Sequence, residues 1–150
     1  RAGLKPKTGY TQPFTIIGKG LIVVKRYDVD GVRSPGGRFS HVGEIGPNAR
    51  LFHLAGQTGT APDGRVGKDI VEQSELVYRN IGTVLEQCGL DFSNLVKVTV
   101  FLINSEDADV WRETQKRHFG DIVPASTLLY ISRLARPELL LEVEAIAAAD

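Results

Sequence analysis

The segment LLLEVEAIA, residues 139–147, constrains this chain more than any other. It is rich in Leu, Val and Ile, holds no Gly or Pro, and reads as a strand. Side chains on a strand alternate faces, so Leu139, Leu141, Val143, Ala145 and Ala147 share one side. The other side carries Leu140, Glu142, Glu144 and Ile146. The first face must be covered by other elements of the same chain. The second sets two carboxylates among apolar neighbours, which a plain solvent-facing surface does not require.

The elements that could cover this strand follow from changes of hydrophobic period. FSHVGEI and RLFHLAGQ read as two short strands joined by GPNA, after a turn at SPGG (34–37). Over residues 69–89 the period lengthens. Ile70, Val77, Ile81, Val84, Leu85 and Cys88 form an apolar stripe, with Asp69 as its cap and Gly89 as its stop. Cys88 is expected to be buried on that stripe, and Gly82 to let the helix pack closely on a sheet. NLVKVTVFLI (94–103) is apolar on both faces and predicts a central strand. SEDADVWRETQKRHFG (105–120) predicts a second helix capped by Ser105, and STLLYIS (126–132) the strand before the last. Trp111 and Tyr130 read as core or interface aromatics. The order predicts an α+β fold, one sheet with two helices packed on one face. The bare face then calls for a second copy of the chain.

Residues 1–33 read as an extended arm with a small hairpin over FTII, GKG and LIVV, either a solvated arm or one partly foreign to the native protein. Residues 34–150 form the domain. Charge is balanced at 18 basic and 18 acidic residues, which argues against a sequence-independent grip on nucleic acid. The arm departs from this balance: residues 1–27 hold six basic side chains and no acid. No apolar run approaches the ~20 residues that span a bilayer. The patch TIIGKGLIVV is broken by Gly18, Lys19 and Gly20 and makes a poor signal peptide. A single cysteine forbids an intrachain disulfide and fits a reducing, cytoplasmic setting.

Phosphate-binding, nucleophile-elbow, zinc and CxxC motifs do not occur. His41, His53 and His118 lack metal-ligand spacing, so no metal is expected.

The segments SPGGRFSHV, LFHLAGQTGTAPDGRVG, LVKVTVFLI, VPASTLLYISRL and LEVEAIA, in this order, resemble the RidA (YjgF) family of reactive-intermediate deaminases. The resemblance spans residues 34–150. It implies a chorismate-mutase-like subunit assembled as a homotrimer, with clefts for a small-molecule ligand between subunits. It also implies hydrolysis of 2-imino and 2-enamino acids to 2-keto acids and ammonia, without metal or cofactor. Glu142 matches the family's water-positioning glutamate. Phe39 and Ser40 match its early turn motif, and Ala55 and Gly56 its small strand-end residues. The family's substrate-clamping arginine falls at Ser126, beside Thr127.

That serine changes the expected chemistry. A bidentate Arg–carboxylate fork is worth about 2–3 kcal/mol, so its loss costs roughly 30–150-fold in binding or rate. Arg112 from the second helix, or Arg38 beside Phe39, could supply a cation instead. Three functions follow: an imine or enamine hydrolase with altered substrate range, a non-catalytic trimer that binds a metabolite or a partner protein, and, third, a ribonuclease-type activity supported by the basic arm alone.

Overall fold

Alternation along the last strand decides how the whole sheet is covered. The computed structural model describes residues 23–150. In chain order it contains β1 (Val24–Tyr27), β2 (Val42–Ile45), β3 (Arg50–Thr58), α1 (Ile70–Gln87), β4 (Leu95–Leu102), α2 (Ala108–Phe119), β5 (Ala125–Tyr130) and β6 (Leu141–Ala149). The main sheet has the order β3-β6-β4-β5. β6 is antiparallel to both neighbours, while β4 and β5 are parallel and joined through α2. Leu141, Val143, Ala145 and Ala147 of β6 are buried with Val98, Val100 and Leu102 of β4. Val77, Tyr78, Ile81 and Leu85 of α1 and Trp111 and Phe119 of α2 close over them. Each buried Val, Leu, Ile or Phe side chain among them contributes ~1.5–3 kcal/mol, and the alanines less. Both helices thus lie on one face, as the apolar side of β6 requires.

α1 starts and stops where its residues dictate. The Asp69 carboxylate accepts a 2.9 Å hydrogen bond from the Glu72 amide, and Gly89 follows the helix with φ 73°. Two expectations about this helix are corrected. Cys88 is exposed, because it sits at the C-cap, where the helix has run past the sheet. Gly82 faces the Phe92 ring rather than the sheet: a Cβ there would lie 3.3 Å from that ring. The second helix also begins later than expected, since Ser105–Asp107 form a 3-10 turn before α2.

β1 and β2 make a separate antiparallel ribbon rather than joining the main sheet. The expected hairpin over FTII, GKG and LIVV lies outside the described residues apart from Val23 and Val24, and so does most of the basic arm. β1 pairs with β2 from Val24 to Tyr27, although it falls within the expected arm. Arg26 ties this ribbon to β4. Its Nε donates to the Leu95 carbonyl at 3.1 Å, and its Nη2 reaches the Leu95 and Ser93 carbonyls. Burial pushes this guanidinium below its usual pKa, and its hydrogen bonds to the two carbonyls offset part of the cost of taking the charge out of water. Arg26→Ala is expected to cost about 1–2 kcal/mol. Amide exchange should quicken in Val24–Tyr27 while β4 and β6 keep their protection; uniform loss across the chain would contradict this docking role.

Candidate active site

Two separate constellations hold the candidate side chains, one on each face of the main sheet. The first is a groove of about 680 Å³ between the loop Gly36–Phe39 and the C-terminal half of α2. Its floor is Ser126 and Leu128 of β5. These two point to the helix face, as their partners Val98 and Val100 do. Trp111, Gln115 and Phe119 recur at four-residue steps along one wall, with Arg112 and Lys116 offset by one residue.

Both walls are held by polar ties. Ser40 latches the loop wall: its Oγ donates to the Val123 carbonyl at 2.7 Å, and its amide to Pro124 at 3.2 Å. Upstream, the His41 ring accepts from the Val29 amide through Nδ1 and donates through Nε2 to the Arg33 carbonyl. The α2 wall is tied to α1. Trp111 Nε1 donates to the Tyr78 hydroxyl, and Glu75 pairs with Arg117 and His118. Arg117 and then His118 hold the Glu75 carboxyl below its usual pKa, while burial pushes the Tyr78 phenol well above its own. Arg112 contacts the Asp109 carboxylate at 2.9 Å and lies 5.7 Å from the Trp111 ring centre.

The second constellation lies on the uncovered face. Register skips Ala55 and Gly56 between Leu54↔Ala145 and Gln57↔Val143, which marks a β-bulge in β3. The Glu142 side chain folds onto that bulge. A Cβ on Gly56 would sit 1.9 Å from Glu142 Oε1, so only glycine leaves room for the carboxylate. Next to it, Lys97, Thr99, Glu144 and Ile146 line a shallower depression with His53 and Ala55. Lys97 donates to the Thr127 hydroxyl. Burial lowers the Lys97 pKa and Glu144 pulls it the other way.

The residues expected to act together therefore divide. Phe39, Arg112 and Ser126 line the groove, with Arg38 beside them. Ser40 is buried, and its hydroxyl donates to the Val123 carbonyl and holds the loop. Thr127 stands apart from Ser126, because alternation turns it to the opposite face, onto Lys97 and the side that carries Glu142. Ala55, Gly56 and Glu142 stand together on β3 and β6. Glu142 is aligned with Phe101 and Ser126 with Val98, so they lie three residues along and two strands across. Their Cα atoms are thus roughly 14 Å apart, with side chains on opposite faces. One copy of the chain does not bring them together.

Trp111 is a core aromatic that also lines the groove, whereas Tyr130 is half exposed at the β5 edge. Gln115, Lys116, Phe119 and Leu128 were not singled out from the sequence. The four-residue spacing within α2 was the available signal. Among the described residues, no three His, Cys, Asp or Glu side chains gather so as to hold a metal ion, and no helix is long and apolar enough to cross a membrane.

Known proteins resemble this chain in sequence and fold. A RutC family protein of Pyrococcus abyssi is 36% identical over 115 residues, covering 75% of this chain and 87% of that one. The 2-iminobutanoate/2-iminopropanoate deaminase of Mus musculus is 33% identical over 100 residues, covering 65% of this chain and 73% of its own length. A solved Rid-family protein of Yersinia pestis superposes with a TM-score of 0.76 at 25% identity, covering 85% of this chain and 99% of that one. The model of the Endoribonuclease L-PSP family matches residues 33–149, and on that match the chain belongs to this family, which includes the RidA/YjgF proteins.

Proposed function

We propose that the protein hydrolyses an imine or enamine, releasing ammonia, in clefts that adjacent copies complete within a homotrimer. The observation that carries this reading is the Glu142 carboxylate seated on the Gly56 bulge, on the sheet face that the helices leave uncovered. Symmetric association can place the Glu142 face of one protomer against the groove of the next. Phe39, Ser126 and Arg112 then contact the substrate, and Glu142 of the adjoining copy contacts water.

The chemistry needs little beyond positioning. An imine carbon is already electrophilic, so a water aimed at it adds once a base accepts its proton. Glu142 takes that proton as the C–O bond forms and the C=N π electrons of the protonated imine move to nitrogen, giving a neutral carbinolamine. Glu142 then returns the proton to nitrogen, and the C–N bond breaks with ammonia leaving as the C=O forms and the hydroxyl proton passes back to the carboxylate. One water is consumed for each ammonia released. The deaminase names of the mammalian relatives support the reaction class.

The neutral floor at Ser126 favours a second reading, a trimer that binds a metabolite without turning it over. One experiment separates them. 2-Iminobutanoate generated in situ from 2-aminobutyrate by an amino-acid oxidase, with semicarbazide as trap, should disappear faster with the protein than in buffer. Light scattering should report three copies per particle. No acceleration moves the reading to binding, and a monomer removes both.

A further inference from the structure

The groove is larger and more apolar than a three- or four-carbon imine requires. In a single copy, before the adjoining copy's Glu142 face closes over it, the groove measures about 680 Å³, within the range of cavities that enclose drug-sized ligands. Its interior is Phe39, Phe119, Ile122 and Leu128, with the edge of Trp111. These surfaces reward a bulky apolar group and leave a methyl or ethyl group mostly in water.

The charges are arranged differently from the apolar lining. The β5 floor offers Ser126 and Leu128, neither of which is a cation. Cations stand along the rim instead. Lys116 and Arg112 are one helical turn apart on α2, and Arg38 is on the facing loop, against one acid, Asp121. Arg112 already shares its guanidinium with Asp109. Lys116 has no ion-pair partner among the described residues, so its ammonium is available to an incoming anion.

We propose that this groove selects an amphiphilic anion with an aromatic or large branched body, its carboxylate met at the α2 rim by Lys116 and Arg112 and its body buried against Phe39, Phe119, Ile122 and Leu128. Resting on the hydrolase reading, this makes the substrate a 2-imino acid of the size formed from phenylalanine rather than from alanine. Lys116 and the apolar interior set specificity, while water attack stays with Glu142.

Calorimetric titration with the two product acids tests the groove without turnover. 2-Oxo-3-phenylpropanoate is expected to bind at least tenfold more tightly than 2-oxopropanoate. Lys116→Ala should weaken the phenyl compound about three- to tenfold, and Lys116→Arg should restore it. Equal affinities, or tighter binding of the smaller acid, overturn the proposal. So does Lys116→Ala without effect, provided its melting temperature matches the parent. In the trapping assay, imines generated from phenylalanine and alanine are compared, and kcat/KM should favour the phenyl imine at least tenfold. Preference for the alanine imine overturns this size assignment and leaves the hydrolase reading standing. If neither imine is consumed faster, the hydrolase reading fails, and the two affinities alone decide whether the groove takes this ligand class.

Discussion

Gly56→Ala is expected to lower imine turnover by about 100-fold, nearly as much as Glu142→Gln, while the melting temperature stays close to that of the parent. The added methyl would lie 1.9 Å from Glu142 Oε1 and 2.8 Å from its Cδ, distances that no packing tolerates. Backbone strain is not the cause, because Gly56 lies outside the positive-φ region. The Glu142 side chain must therefore swing off the bulge, and a displacement of ~1 Å at a proton-accepting group costs on the order of 100-fold. Glu142→Gln removes the proposed base in place and should fall within the ~10²–10⁴ range of lost general-base catalysis. The two changes act on one group, so the double variant should be no slower than the worse single one. Steady-state rates of the four proteins, with circular dichroism melts, complete the cycle. Full turnover in Gly56→Ala would remove Glu142 as the water-directing group; multiplicative losses would mean that Gly56 and Glu142 act separately.

What could be read from residues alone was whatever repeats locally. The two-residue alternation of LLLEVEAIA set the faces of β6, and the three- and four-residue steps from Ile70 to Leu85, with Asp69 in front, set α1 nearly to its ends. The position of Cys88 was misjudged for a physical reason. Periodicity marks a direction around a helix, but not whether the sheet still lies beneath its last turn. Gly82 failed similarly, since its neighbour Phe92 arrives from the 3-10 turn after α1 rather than from a strand. The bulge at Ala55–Gly56 leaves almost no trace in LAGQT beyond the glycine itself. The groove depends on long-range closure. Its loop wall is placed by Ser40 bonding across 83 residues to Val123, and no local pattern encodes that crossing. Ser126 and Thr127 are neighbours in a strand, so their side chains leave on opposite faces, and a motif read as a string does not show that division.

Gln73→Ala should be the most destabilising single change outside the apolar core, costing about 3 kcal/mol and lowering the melting temperature by roughly 6–12 °C. Gln73 is a buried polar residue of α1, and its amide joins three segments. Nε2 donates to the Gly67 carbonyl and the Glu138 carbonyl, both at 2.9 Å, and Oε1 accepts from the Leu140 amide at 2.8 Å. Truncation leaves those two carbonyls and one amide without a partner in a region with little access to water. The space is also tight, because a Cβ on Gly59 would lie 2.3 Å from the Gln73 Cβ, so the chain around it cannot collapse inward without moving the loop between β3 and α1. Gln73→Glu should not rescue the loss, since a carboxylate would face two carbonyl oxygens where an amide had donated. Leu140 immediately precedes β6, so this bond also fixes where Leu141 and Glu142 enter the sheet. Amide exchange at Leu140 should accelerate in Gln73→Ala before that of Val143 or Ala145, and turnover should fall at temperatures where the protein is still folded. A melting temperature within about 2 °C of the parent, with Leu140 still protected, would show that the entry of β6 is held by its ladders with β3 and β4 without Gln73.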